Sequence, residues 1–93
     1  MMKFSLGQTL MTRGINKMIA EKTKFAKEVT KAFNRYITCD WGEMCKEDLE
    51  LNDQAVERED GRIFAAYETS QGKIYIITEW DRSVTTILFA NEY

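Results

Sequence analysis

The fold is decided by one C-terminal stretch, RIFAAYETSQGKIYIITEWDRSVTTILF, which spans residues 62–89. It contains three segments rich in the β-branched and aromatic residues that favour strands, at 62–69, 73–80 and 84–89. Two turn-like tripeptides separate them, Ser70-Gln71-Gly72 and Asp81-Arg82-Ser83. The stretch therefore predicts an antiparallel three-stranded meander, with a positive φ at Gly72 in the first hairpin and local bonds from Asp81 and Ser83 in the second turn.

Both faces of this predicted sheet carry apolar side chains. Alternation along the central strand puts one set on one face, namely Ile74, Ile76, Thr78 and Trp80. The opposite set is Tyr75, Ile77 and Glu79. Helices on one side cannot cover both sets, so either the chain covers the second face itself or a partner or second copy does. We favour coverage by the chain itself, because three helices cover much of so small a domain.

The sequence before the meander predicts one strand and then two helices. Phe4, Leu6, Gln8 and Leu10 alternate within residues 3–11, which indicates a short half-buried strand. Thr12 is a candidate cap for a first helix. Thr23 is a candidate cap for a second, whose apolar stripe consists of Phe25, Val29, Ala32, Phe33 and Tyr36.

A third helix is predicted at residues 46–58, after a turn at Gly42, and its apolar side is thin. Ninety-three residues suffice for one domain. We therefore predict a single α+β domain over residues 1–93, in which the meander, joined by the N-terminal strand, packs against two or three helices.

The composition argues against several classes of activity. The chain has no histidine, which removes the commonest general base and metal ligand, and its only cysteines are Cys39 and Cys45. No leader or membrane-spanning segment is recognisable, so we expect a cytoplasmic protein with reduced thiols, although the spacing alone leaves a bridge between them open. We predict that the chain is not an enzyme and needs neither a cofactor nor a metal.

Charge is distributed unevenly along the chain. Residues 1–38 carry a net charge of +6, residues 39–60 carry −7 and residues 61–93 carry −1. The predicted second helix lines up a basic face, Lys24, Lys27, Lys31 and Arg35. This face suits nucleic acid or an acidic protein, but it is more simply interpreted as a solvated helix face. The acidic block either mimics nucleic-acid phosphates or, as we favour, is ordinary solvated surface.

Several segments together resemble a known family. They are Lys3-Phe4-Ser5-Leu6-Gly7, Asp40-Trp41-Gly42-Glu43, Glu47-Asp48, Asn52-Asp53 and the run from Ile76 to Phe89. The pattern resembles small plasmid-related proteins encoded on bacterial plasmids, integrative elements and phages. The resemblance implies a setting, the accessory cargo of a mobile element inside a bacterium, and brings no catalytic residues. This chain departs from the pattern at Trp80 and in its lysine-rich second helix.

That setting favours an inhibitor of a host defence system, of the anti-CRISPR or anti-restriction type, which binds its target protein stoichiometrically. The candidate partner-binding residues are Asp40, Trp41, Glu43, Glu79, Trp80, Asp81 and Arg82. Both tryptophans are alternatively core anchors, and Arg82 alternatively pairs with Asp40, Glu79 or Asp81 to fix a turn.

Two other hypotheses remain. An enzyme would need paired carboxylates from Asp40, Glu43, Glu79 and Asp81 around a divalent metal. An accessory protein for mobile-element maintenance would bind nucleic acid through the basic face or self-associate as a homodimer, although the overall pI of about 5.2 makes nucleic acid the weaker partner.

Overall fold

The computed structural model describes residues 3–93 and is an α+β fold, as predicted. Four strands and three α-helices follow one another in the chain, and a short 3-10 helix, Ala90–Glu92, ends it. The elements are β1 Gln8–Met11, α1 Arg13–Glu21, α2 Thr23–Ile37, α3 Lys46–Arg58, β2 Ile63–Thr69, β3 Gly72–Thr78 and β4 Val84–Phe89.

The strands form one sheet in the order β1-β4-β3-β2. The antiparallel pairing of β2 with β3 and of β3 with β4 confirms the predicted meander, and Gly72 adopts the expected positive φ of 117°. The N-terminal strand joins the sheet, but only over residues 8–11, and it runs parallel to β4. Strand β3 ends at Thr78, because the chain turns there, so Trp80 lies in the β3–β4 turn and not in the strand.

One hydrophobic core joins the sheet to the helices. It contains buried residues of all three helices and of β2, β3 and β4. The largest of its side chains that are completely buried are Tyr36, Tyr67, Phe25, Ile15, Ile63, Ile74 and Ile76. The predicted stripe of α2 is buried at Phe25, Val29, Ala32 and Tyr36, while Phe33 is half-buried at its margin.

The helix ends follow the sequence in two cases out of three. The Thr12 side chain accepts a hydrogen bond from the Ile15 N–H at 3.3 Å, which confirms the predicted cap of α1. Helix α3 has the predicted bounds. The predicted cap at Thr23 is wrong, because Thr23 is already the first residue of α2 and Lys22 precedes it without a side-chain cap. No helix within residues 3–93 is long and apolar enough to cross a membrane.

The chain covers the centre of the second sheet face itself. Ile77 and Leu88 are buried there. On the same face Tyr93, which follows the 3-10 helix, packs edge-on against Phe64 and Tyr75, with ring centroids 5.5 and 5.8 Å apart. Coverage by the chain itself, the favoured alternative, is therefore observed for these two residues.

The free edge of β2 is closed by two different devices. The Phe64 N–H and C=O groups both bond to the Asn52 side chain of α3. Two residues further along β2, the Ala66 N–H donates to the Trp41 carbonyl at 3.3 Å, and the Ala66 carbonyl accepts from the Glu43 N–H at 2.7 Å. Two of the outward-facing positions of this edge strand are thereby satisfied within the chain.

Candidate protein-binding surface

Asn52 holds α3 in one rotation about its axis. Its amide nitrogen donates to the Phe64 carbonyl at 2.8 Å, and its Oδ1 accepts from the Phe64 N–H at 3.1 Å. Asn52 and Ala55 are the buried residues of this helix. Because an α-helix turns 100° per residue, the side opposite them faces solvent.

That exposed side is the acidic face of α3, which we define as Glu47, Glu50, Asp53 and Glu57. Asp53 accepts a hydrogen bond from the Trp41 indole at 2.9 Å. The ion pairs within residues 3–93 join Arg35 to Asp40 and Arg62 to Glu79, and neither involves α3. Glu47 lies in the first turn, where its charge interacts favourably with the positive end of the helix dipole, but Glu57 lies near the negative end, where its charge is unfavourable. Helix stability alone therefore does not explain this charge.

Arg82 ties the β3–β4 turn to the C-terminal end of α3. Its guanidinium donates to the Ala55 carbonyl at 2.8 Å and to the Gly61 carbonyl at 2.6 Å. A longer bond at 3.3 Å reaches the carbonyl of Glu79 within the turn. The turn is thus fixed by Arg82, but through backbone carbonyls and not through the carboxylates that the sequence suggested. Carbonyls give no signal in a sequence, so these partners could not be identified from it.

We expect Arg82→Ala to lower the free energy of unfolding by about 2 kcal/mol, because it leaves the carbonyls of Ala55 and Gly61 without their charged donor. Arg82→Gly should cost about 1 kcal/mol less than Arg82→Ala, since residue 82 has a φ of 61°. Arg58→Ala, which removes an exposed arginine of α3, is the control. Urea denaturation measures all three, and equal losses for Arg82→Ala and Arg58→Ala would contradict the assignment.

The two tryptophans have opposite environments. Trp41 is 3% exposed and packs edge-on against Tyr36, so its interpretation as a core anchor is confirmed. Trp80 is 66% exposed, so the same interpretation is wrong for Trp80. Its backbone carbonyl accepts from Arg82, which also bonds to Ala55 of α3. The turn that carries this exposed indole is therefore tied through Arg82 to the C-terminal part of α3.

The segment from Asp40 to Glu43 lies against the edge of β2 and contacts α3 at Asp53, whereas the β3–β4 turn contacts α3 at Ala55. The Asp40 carboxylate accepts hydrogen bonds from two guanidinium nitrogens of Arg35, Nε at 2.8 Å and Nη2 at 3.1 Å, and this contact lowers the pKa of the carboxyl. The Glu43 side chain is exposed. Trp41 reaches α3 through Asp53 and Arg82 reaches it through Ala55, so α3 connects the two groups of predicted residues.

The remaining predicted carboxylates have local roles. Glu79 lies 3.9 Å from Arg62. The Asp81 carboxylate accepts a hydrogen bond from the Ser83 backbone N–H at 3.0 Å. Hydrogen bonding with Ser83 lowers the pKa of Asp81. Within residues 3–93, no three carboxylate or thiol groups come together in a way that would hold a metal ion. Cys39 and Cys45 are free thiols, and burial raises the pKa of Cys39.

The basic face of α2 is present but interrupted. Lys24, Lys27 and Lys31 are exposed, as predicted. Arg35 is half-buried, because it pairs with Asp40 and its guanidinium lies 5.1 Å from the centre of the Tyr67 ring. Arg35 therefore has a structural role, and three lysines remain for any external contact.

Neither the protein-family models, nor the curated proteins, nor the solved structures contain a match to this chain. The resemblance to the plasmid-related family therefore stays a prediction.

Proposed function

We propose that the chain is a non-enzymatic binding protein that uses the acidic face of α3, with Trp80 beside it, to bind a basic surface on another protein. The observation that carries the proposal is the set of exposed carboxylates on α3, which no cation of residues 3–93 neutralises within 4 Å. Carboxylates without a cation partner on one side of a helix produce a local negative field. Such a field steers association with a positive surface and opposes association with a negative one.

Trp80 supplies the second component of this surface. An indole that is 66% exposed is unusual on a small domain, and tryptophan is enriched among the residues that dominate binding energy. The backbone that carries it is held in place, because Arg82 anchors the turn to α3. An exposed aromatic side chain on a turn anchored to the charged helix can provide apolar burial, while the carboxylates provide electrostatic orientation.

The partner we propose is a defence effector in the cytoplasm of a bacterial host, which the chain inhibits by stoichiometric contact. Two considerations support this choice. Effectors that act on DNA or RNA present basic grooves to phosphates, and an acidic helix is complementary to such grooves. The sequence resemblance to cargo proteins of mobile elements supplies a setting in which blocking such an effector is useful.

The test is a cleavage assay with a purified RNA-guided nuclease and a purified restriction endonuclease. Each effector is titrated with the protein before DNA is added. A stoichiometric inhibitor abolishes cleavage at a fixed molar ratio, and binding measured by interferometry weakens as salt is raised. If no effector is bound or inhibited, or if trace amounts of the protein inactivate it by turnover, the proposed function is wrong.

Matched variants locate the surface. We expect Glu47→Gln, Glu50→Gln and Glu57→Gln combined to weaken binding by about tenfold or more, mainly through slower association. The control is Lys24→Gln, Lys27→Gln and Lys31→Gln combined, which neutralises as many exposed charges on the other helix. If the lysine variant weakens binding and the glutamate variant does not, the contact belongs to the basic face of α2 and not to α3.

A further inference from the structure

The outer edge of β1 is open, in contrast to that of β2. Gln8 and Thr12 direct their N–H groups to the carbonyls of Ser83 and Ile87 at 3.0 and 3.1 Å. Because backbone groups alternate along a strand, Thr9 and Met11 point theirs away from β4. Within residues 3–93, the one contact to these groups is the Asn16 side chain, whose amide lies 3.4 Å from the Met11 carbonyl and is exposed.

Apart from the shortness of β1, this edge lacks the usual protection against strand pairing. Proteins commonly guard an open edge with lysine, proline or a bulge. Here residues 4–12 carry no charge and no proline. The side chains of Leu10 and Met11, on opposite faces of the strand, are 42% and 41% exposed.

The spacing of the free groups fits a second copy of the same strand. When two β1 strands run antiparallel, Thr9 of one copy can exchange both backbone bonds with Met11 of the other, and the reverse pair does the same. All four outward N–H and C=O groups of each pair are then satisfied by symmetry. The axis passes between the two Leu10 residues, whose side chains meet in the close, non-hydrogen-bonded position.

A groove beside the edge has room for the second copy's side chain. It measures about 300 Å³ and is lined mainly by apolar groups of β1, α1 and α2, among them Met11, Ile19 and Phe33. In the antiparallel arrangement, Met11 of one copy lies opposite Thr9 of the other, on the face of the sheet that borders this groove. Methionine is flexible and fills irregular apolar space well.

We propose that the chain forms a homodimer through antiparallel pairing of two β1 strands, which joins the two sheets into one of eight strands. The pairing brings no charged residue of β1 against its copy, since Gln8–Met11 are all uncharged. A four-residue strand covers less than the roughly 1,200 Å² of a standard interface, so we expect a dissociation constant of about 10 to 100 µM. This interface does not use α3 and is independent of the function proposed above.

Sedimentation velocity from about 5 to about 500 µM tests the association, because this range brackets the expected constant. We expect the mass to rise from monomer to dimer across it. Thr9→Pro removes an outward N–H without touching the bonds to β4, and Leu10→Lys places two like charges at the axis. Both should stay monomeric at about 100 µM with unchanged circular dichroism. Leu51→Lys, at an exposed position on α3, is the control and should still dimerise.

Disulfide trapping tests the register. In a Cys39→Ala, Cys45→Ser background, Leu10→Cys should form a covalent dimer with oxidised glutathione, because the two β-carbons face each other across the axis. Leu51→Cys, whose parent side chain is more exposed, should not. A monomer at every concentration, or equal trapping at both positions, would overturn the proposal.

Discussion

Gly42→Ala is expected to lower the free energy of unfolding by about 4 kcal/mol, because both the backbone conformation and the surrounding space exclude a β-carbon. Gly42 lies where the segment between α2 and α3 forms a parallel bridge to Ala66 of β2. Its φ is 75°, in the left-handed region that L-residues enter at a cost of about 1 to 2 kcal/mol.

Space is the larger obstacle at this position. A β-carbon on Gly42 would lie 2.1 Å from the Ala66 carbonyl oxygen and 2.7 Å from the Tyr67 ring. The oxygen belongs to backbone that also accepts the Glu43 N–H, so it cannot yield without breaking the closure of the β2 edge. Overpacking of this kind costs about 1 to 3 kcal/mol in addition to the backbone strain.

Gly61→Ala is a matched control that separates the two terms. The φ of Gly61, 78°, is nearly the same, but an added β-carbon there would meet only Ala55 among residues 3–93, with the Ala55 β-carbon at 3.4 Å and its α-carbon at 4.0 Å. We therefore expect a loss of about 1 to 2 kcal/mol, from conformation alone. Thermal denaturation should show a drop of about 15 °C or more for Gly42→Ala and several degrees for Gly61→Ala. Equal drops would mean that the close approach at Ala66 is relieved at little cost.

The sheet and helices were largely predictable, because their signals are local. Strand alternation gave the meander, and the composition of α3 gave its bounds. Trp80 was misplaced because continuing the alternation of β3 by two residues puts it in the core. What stops the strand is the turn that Arg82 holds against α3, and this contact spans 27 residues of sequence. A contact between residues so far apart in the sequence is not visible in the local alternation of a strand.

The candidate surface was predictable only in part. The negative charge of residues 39–60 is visible in the sequence, but which carboxylates are free depends on the rotation of α3. Asn52 sets that rotation by bonding to Phe64, and an asparagine on the thin apolar side of a helix resembles a weak core position. The open edge of β1 was likewise invisible, because the strand order that places β1 outermost is a property of the whole fold.

The second large effect is expected in a buried chain of hydroxyl groups. Tyr36 Oη lies 2.6 Å from Thr78 Oγ1, which lies 2.7 Å from Thr85 Oγ1. Thr85 donates to the Leu6 carbonyl at 2.7 Å. A carbonyl can only accept, so Thr85 must accept from Thr78, and Thr78 must accept from Tyr36. The direction of all three hydrogen bonds, from Tyr36 to Thr78 to Thr85 to Leu6, is therefore fixed. Burial raises the pKa of Tyr36, which keeps its phenol protonated as the first donor.

This direction predicts an order of effects among the three substitutions. Thr78→Val leaves the buried Tyr36 hydroxyl without an acceptor, and Thr85→Val does the same to Thr78 and also deprives Leu6 of its donor. Each should lower the free energy of unfolding by about 2 to 3 kcal/mol. Tyr36→Phe leaves no donor stranded, because Thr78 still donates to Thr85, so it should cost about 1 kcal/mol.

The double variant Tyr36→Phe, Thr78→Val is the decisive measurement. Removing the tyrosine hydroxyl takes away the stranded donor that makes Thr78→Val costly, so in urea denaturation the double variant should be no less stable than Thr78→Val alone. Strictly additive losses would instead mean that the hydroxyls act independently. A larger loss of stability for Tyr36→Phe than for Thr85→Val would mean that the hydrogen bonds run in the opposite direction. That result would contradict the assignment of the Leu6 carbonyl as the final acceptor.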